Sequence, residues 1–274
     1  MGILGHGGTG KTMLIEHVLH SVGKTSRLGK IAEGNTVCDY LEEEIQRQQT
    51  IAMKLAYLDW NGTRVHLIDH PGYADFLGEV AASVPVLDAV VIVVDATTGI
   101  QVGTDNAMQY ADRYGAARAI FVNKLDRDHT DFHQTVALLQ QAYGNRCVPL
   151  VIPTGQASGL KGCVNILTDQ VTEHADEIEA LRAGMTDVVA EVDDALLEKF
   201  LETGELSAEE FDEGLHKGIQ QGKIIPIICG SVDKDVGIRE LFECIVKSFP
   251  TPLERKVVGR NAAGEEVELQ VSAD

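Results

Sequence analysis

No apolar run in this chain outlasts Ala89 to Val94, far short of the roughly 20 residues that a membrane-spanning helix needs. The N-terminus lacks the basic-then-apolar pattern of a secretory leader, so cytoplasmic residence is expected. Cysteine is sparse: Cys38, Cys147, Cys163, Cys229 and Cys244 are odd in number, widely spaced and form no CxxC, which argues against a disulfide framework or a zinc site. His129 and His133 stand four apart without a third ligand nearby, so no transition-metal site is expected there. Clustered basic residues are missing as well. With 23 Lys and Arg against 42 Asp and Glu, the net charge of −19 argues against sequence-specific nucleic-acid binding by this segment. From Glu173 to Glu213, fifteen acidic residues face only Arg182 and Lys199, leaving that stretch −13. A solvated helical face and a dock for a basic partner both fit this charge. No internal repeat or low-complexity segment is present.

What is there alternates between strand-like and helix-like segments. That pattern predicts an α/β class, an open mixed sheet with helices on both faces, in which 274 residues make one large domain carrying a smaller α+β insertion. Ile3 to Gly5 is a short strand feeding a glycine loop, followed by a helix over Lys11 to Val22. Gln49 to Asp59 and Arg64 to Asp69 are extended runs joined through Trp60-Asn61-Gly62-Thr63, where Asn-Gly favours a tight hairpin. Ala89 to Asp95 and Ala119 to Asn123 are unbroken apolar runs, as strands buried on both faces should be. A helix is expected over Phe132 to Tyr143. Short strands broken by Gly and Pro follow over Cys147 to Leu167, then acidic, turn-interrupted helix over Glu173 to Gln221. The sheet resumes at Ile224 to Cys229 and closes with an amphipathic helix over Ile238 to Phe249. Residues 1–146 and 223–252 thus read as the core, 147–222 as the insertion and 253–274 as a further segment.

Three motifs carry the chemistry. Gly5-His6-Gly7-Gly8-Thr9-Gly10-Lys11-Thr12 satisfies GxxxxGK[ST] between a strand and a helix. Its glycines let backbone N–H groups converge on phosphates at a helix N-terminus, Lys11 reaches the β- and γ-phosphates, and Thr12 offers a hydroxyl to Mg²⁺. Asp69-His70-Pro71-Gly72 ends the apolar run Val65 to Ile68. Asp69 there is placed to hold Mg²⁺ through water, and the Gly72 N–H to meet the γ-phosphate. Asn123-Lys124-Leu125-Asp126 decides the base. A carboxylate accepts from N1–H and the 2-amino group of guanine, and adenine would leave it unpaired. A P-loop ATPase or small-molecule kinase is disfavoured on that ground. Between the first two motifs, Glu42 to Ile51 is polar, and Thr50 is placed to give Mg²⁺ a hydroxyl and the γ-phosphate an N–H only when GTP is present. That segment is the candidate switch.

On those residues the chain resembles the nucleotide-binding region of elongation factor G almost end to end. The likeness runs through DHPGYADF (Asp69 to Phe76), DAVVIVVDATTGIQ (Asp88 to Gln101), NKLDRDHTDF (Asn123 to Phe132), VAEVDDALLEKFL (Val189 to Leu201) and the closing IPIICGSVDKDVGIRELFECIVKSFPTP (Ile225 to Pro252). GHGGTGKT together with DxPGYADF is most similar to the divergent second type of that factor. The resemblance implies a GTPase using GTP/GDP and Mg²⁺, with the ribosome as partner mainly through domains beyond this chain, and a monomer. It implies that Gly230 and Ser231 support guanine, that the acidic insert is the family's extra subdomain, and that Val257 onward begins a β-barrel domain. The chain therefore reads as a fragment, with its first strand clipped relative to that family.

Two departures from the family pattern bear on mechanism. The hydrolytic His that follows DxxG is replaced by Tyr73, and a free phenol, which ionises only near pH 10, is poorly suited to proton sharing near neutrality. Gly8 stands where an Asp is common, which weakens charge stabilisation in the transition state. His6 matches the family's own loop His, and His70 stands where Thr is usual. Slow hydrolysis alone and faster turnover on the ribosome are expected, with Lys11, Thr50, Gly72 and Tyr73 around the γ-phosphate. A GTP-gated binding protein with negligible turnover is the alternative.

Overall fold

The computed structural model describes residues 1–169, 174–255, 257–269 and 271–272. In chain order the elements are β1 (Gly2–Leu4), α1 (Lys11–Ser21), α2 (Glu42–Arg47), β2 (Lys54–Trp60), β3 (Thr63–Asp69), α3 (Leu77–Ser83), β4 (Ala89–Asp95), α4 (Val102–Tyr114), β5 (Ala117–Asn123) and α5 (Phe132–Tyr143). They continue with β6 (Cys147–Pro149), β7 (Val151–Thr154), β8 (Gly162–Asn165), α6 (Ala175–Ala190), α7 (Asp194–Thr203), α8 (Ala208–Gln220), β9 (Ile225–Cys229), α9 (Ile238–Ser248), β10 (Val257–Arg260) and β11 (Glu266–Leu269).

Seven strands form one sheet in the order β2-β3-β1-β4-β5-β9-β6, parallel throughout except β2, which runs antiparallel to β3. Every residue of β4 and β5 is buried. Successive side chains of a strand point to opposite faces, so both faces of the sheet centre are covered, as the unbroken apolar runs predicted. α9 buries Ile238, Leu241, Phe242, Ile245 and Ser248, the spacing of one helical face. The β2–β3 hairpin turns through Asn61 and Gly62 at φ 47° and 82°, the pair of positive values that a two-residue turn of this hand requires.

Two expectations are corrected. Gln49 to Met53 is not strand: β2 starts only at Lys54. The buried Glu44 carboxylate accepts from the N–H groups of Ile51 (3.1 Å) and Ala52 (3.2 Å), the donors a ladder would have used. The stretch assigned to the insertion from Cys147 also gives its first three residues, β6, to the edge of the central sheet, where they pair parallel with β9. Beyond them, β7 and β8 form a separate two-stranded antiparallel hairpin, and α6 packs on α7 and α8. β10 and β11 make a second hairpin. The expected helical start at Glu173 lies outside the described residues.

Register aligns the carboxyl ends of the central strands. Asp95 of β4 lies beside Asn123 of β5, and Val122 beside Cys229 of β9, while Ile3 of β1 pairs with Asp69 of β3. The loops that leave these ends carry all three motifs, at the sheet edge where open α/β folds hold ligands.

Candidate functional site

The glycine loop leaves β1 and turns into α1 through Gly10 at φ 101°, where a Cβ would stand 2.4 Å from the Asn123 amide nitrogen. Only glycine lets the loop approach that closely. Lys11 is buried and donates from Nζ to the His6 carbonyl at 2.7 Å. Burial pulls its ammonium down to about 8, against the pull of Asp69 and Asp39, so the amine remains mostly charged at neutral pH.

At the start of α1, Thr12 Oγ1 donates to Asp69 Oδ2 at 2.7 Å and lies 3.1 Å from Thr50 Oγ1. The three residues read from sequence as metal ligands therefore converge. Asp69 is fully buried and its Oδ1 lacks a hydrogen-bond partner, an orphan that a hard cation would satisfy. Two hydroxyls and a carboxylate are the oxygen set Mg²⁺ prefers, so these residues fit the ion.

Burial raises the Asp69 carboxyl to about 7 despite the Thr12 bond and the Lys11 charge. Folded protein thus takes up this proton at higher pH than unfolded chain does. The cost of the buried charge is fully present above pH 7 and fades on acidification toward pH 4. Asp69→Asn is accordingly expected to stabilise the ligand-free protein at pH 8 by ~1–3 kcal/mol, with the gain vanishing near pH 4. Urea denaturation of both proteins at the two pH values measures it, and a gain equal at both would disprove the electrostatic origin.

Thr50 is held by α2 rather than by a strand. Glu44 accepts from Lys54 Nζ (2.7 Å) and from the Leu41 N–H (3.2 Å) as well as from Ile51 and Ala52, stapling both ends of the segment. Glu44→Gln is expected to cost ~2 kcal/mol by weakening buried charged hydrogen bonds. Amide exchange should quicken first at Ile51 and Ala52; protection unchanged there would show that another contact holds the loop.

The third motif is tied to the first. Asn123 Nδ2 donates to the Thr9 carbonyl at 2.8 Å while its Oδ1 accepts from the Val232 N–H at 2.9 Å. Lys124 Nζ bridges the Gly8 carbonyl and Asp95 Oδ2, both at 2.7 Å. Ser231 Oγ donates to Asp126 Oδ1 at 2.6 Å, and the Gly230 carbonyl accepts from the Leu125 N–H at 3.2 Å. Ser231 thus aims the Asp126 carboxylate, and both motif loops form one rigid floor.

One cavity runs over this floor. Gly7, Gly8, Gly10, Lys11, Thr12, Thr50, Gly72, Tyr73, Asn123 and Lys124 line it, along with Met13, Ile31, Asp39, Gln48, Gln49, Val232 and Asp233, which were not anticipated. Asp39 is buried beside Thr50, and burial raises its carboxyl. Asp95, the partner of Lys124, was not singled out from sequence either; its signal is the lone carboxylate that closes the run Ala89 to Asp95. Gly72 lies against the loop, where a Cβ would come within 2.3 Å of Lys11 Nζ and 2.6 Å of the Gly7 nitrogen. Tyr73 packs its ring over Gly7, 42% exposed.

Gly5, His6 and Pro71 instead line an adjoining apolar hollow with Leu77, Val80 and Val102. His70 departs from the expected binding set, because its side chain is buried away from the cavity. Nδ1 lies 2.9 Å from the Ile68 carbonyl and Nε2 lies 2.5 Å from Ser83 Oγ. Burial pushes this imidazole down to about 4, so it is a neutral strut joining β3 to α3.

The elongation factor Tu GTP binding domain family matches residues 1–251. A crystal structure of a protein from Thermus thermophilus superposes with a TM-score of 0.87 at 30% identity, covering 92% of this chain and 40% of that one. The chain thus spans about two-fifths of that relative's length. A match over nearly the whole chain, on a sheet whose strand ends carry the phosphate loop and the NKxD motif, places this protein in the elongation factor Tu GTP-binding domain family, as a translational GTPase G domain of the elongation factor type.

Proposed function

We propose that the chain binds GTP with Mg²⁺ and hydrolyses it as the nucleotide-driven switch of an elongation factor G-like protein acting on the ribosome. The observation that carries the base is the Ser231–Asp126 pair at 2.6 Å, in a loop locked to the glycine loop through Asn123 and Thr9. In this reading Asp126 accepts from the guanine edge, and the loop N–H groups with Lys11 neutralise the phosphates. Thr12, Thr50 and Asp69 would hold Mg²⁺, which when bound would supply positive charge to offset that of the phosphates. Thr50 and the Gly72 N–H order around the γ-phosphate, and Tyr73 stands beside the attacking water. With β6 counted in the central sheet, the inserted subdomain runs over 150–222, and the β10–β11 hairpin is a separate β segment after the core.

Single-turnover hydrolysis of radiolabelled GTP by the full-length protein, with and without ribosomes, tests this after GTP is shown to outcompete ATP. Acceleration by several orders of magnitude is the expected result. Tyr73 in place of the family's His favours a second reading, a GTP-gated regulator. Tight GTP binding without stimulated cleavage would establish it and defeat the first.

A further inference from the structure

One buried carboxylate on α1 takes no part in the site described above. Glu16 stands one helical turn beyond Thr12 and is 1% exposed. Its Oε2 accepts from the Gly29 N–H at 3.2 Å and its Oε1 from the Val37 N–H, so each oxygen is bound to backbone. Burial raises this carboxyl, and the two N–H donors oppose that shift. The chain between the two donors is a compact loop. The Lys30 N–H donates to Asn35 Oδ1 at 2.7 Å, and the Gly34 N–H to the Ile31 carbonyl at 3.0 Å. Just beyond it, the Asp39 N–H donates to Thr36 Oγ1 at 3.2 Å. Glu16 therefore ties both ends of one loop to the helix that begins with Lys11 and Thr12.

The clasped loop reaches the nucleotide cavity along two routes. Ile31 lines the cavity wall itself. Gly34, at φ 60°, lies against α2, where a Cβ would stand 2.6 Å from Ile45 Cγ2. From α2 the chain runs through Gln48 and Gln49 to Thr50, and all three line the cavity together with Asp39. The loop is thus a backing for the segment that presents Thr50.

We propose that Glu16 is a positioning residue for the γ-phosphate: by clasping the loop from Gly29 to Val37 against α1, it backs α2 and sets where Thr50 stands. The inference rests on the GTP reading given above and deepens it. Glu16 is not among the residues that line the cavity, so it acts through the loop. Thr50 serves the γ-phosphate, which only GTP carries, so a loosened clasp weakens GTP more than GDP. A role confined to the stability of α1 has a different signature, because Lys11 and Thr12 at its start serve both nucleotides.

Two variants approach the contact from opposite sides. Glu16→Gln keeps the side-chain volume but turns one oxygen into an NH₂, which sets a donor against one of the two N–H groups. Gly29→Ala leaves α1 unaltered, and its Cβ would stand 2.5 Å from Glu16 Oε2 and 2.8 Å from the Asn35 carbonyl oxygen. Each is made in the full-length protein and titrated with fluorescent GDP and with a fluorescent non-hydrolysable GTP analogue, and amide exchange is followed at Gly29 and Val37. The expected result is a loss of affinity about ten-fold greater for the GTP analogue than for GDP in both variants, with faster exchange at both amides. Equal losses for the two nucleotides would overturn the positioning role, as would faster exchange with both affinities unchanged. If Glu16→Gln does not fold, Gly29→Ala decides between these outcomes. Failure of the unaltered protein to bind either nucleotide would defeat the GTP reading and the positioning role with it, while exchange at Gly29 and Val37 would still decide whether Glu16 clasps the loop.

Discussion

Asp126→Asn is expected to weaken GTP binding about 10²–10³-fold while improving XTP binding. Two hydrogen bonds from the guanine edge to an ionised carboxylate contribute ~1.5–3 kcal/mol each, so losing their charge and turning one acceptor into a donor removes ~3–4 kcal/mol. The geometry sharpens the expectation. Ser231 Oγ donates to Oδ1 at 2.6 Å, which in the variant fixes the amide oxygen there and leaves the NH₂ at the other position. Xanthine presents N1–H and a 2-carbonyl, a donor and an acceptor that match an amide, whereas guanine would set its 2-amino group against the NH₂. Competition of GTP, XTP and ATP against a fluorescent nucleotide measures the switch. An equal loss for all three would mean that Asp126 serves only the loop's structure.

The motifs were legible because each is short, local and placed at the end of an apolar strand, so that the glycine loop, Asp69 and Asn123 to Asp126 could be located before any long-range contact was known. The buried strands β4 and β5 were legible for the same reason. What escaped reading depends on partners far along the chain. β6 is a three-residue edge strand that exists only by pairing with β9, and nothing within Cys147 to Pro149 announces it. Gln49 to Met53 has a strand-like composition, but Glu44 captures its N–H groups, a choice made by tertiary burial and not by propensity. Asp39 was hidden by company, one carboxylate among the acidic residues leading into α2, with only its burial beside Thr50 setting it apart. His70 follows a strand end, where one backbone turn decides whether a side chain faces the cavity or the core. The Ser83 hydroxyl that holds it inward lies on a helix whose packing local sequence could not foretell.

Tyr73→His is expected to raise ribosome-stimulated single-turnover hydrolysis about 10²-fold, the lower end of what a positioned proton acceptor contributes. Tyr73 lines the nucleotide cavity with extended backbone (φ −97°, ψ 146°), immediately before the short turn Ala74–Phe76, and its ring rests on Gly7 at the edge of the glycine loop. An imidazole on the same backbone reaches less far than the phenol but stays within the same wall, and its ordinary pKa of about 6.5 lets it share a proton at neutral pH where a phenol of about 10 does not. The gain should therefore grow as pH rises through about 6 to 7 and the imidazole loses its proton. Tyr73→Phe separates the roles. If the phenol hydroxyl orders the attacking water, removing it lowers the residual rate; if the ring only covers Gly7, Phe leaves the rate unchanged while His still raises it. A Tyr73→His protein no faster than wild type, with GTP affinity intact, would place the water elsewhere in the cavity and leave the GTP-gated regulator as the better account of this chain.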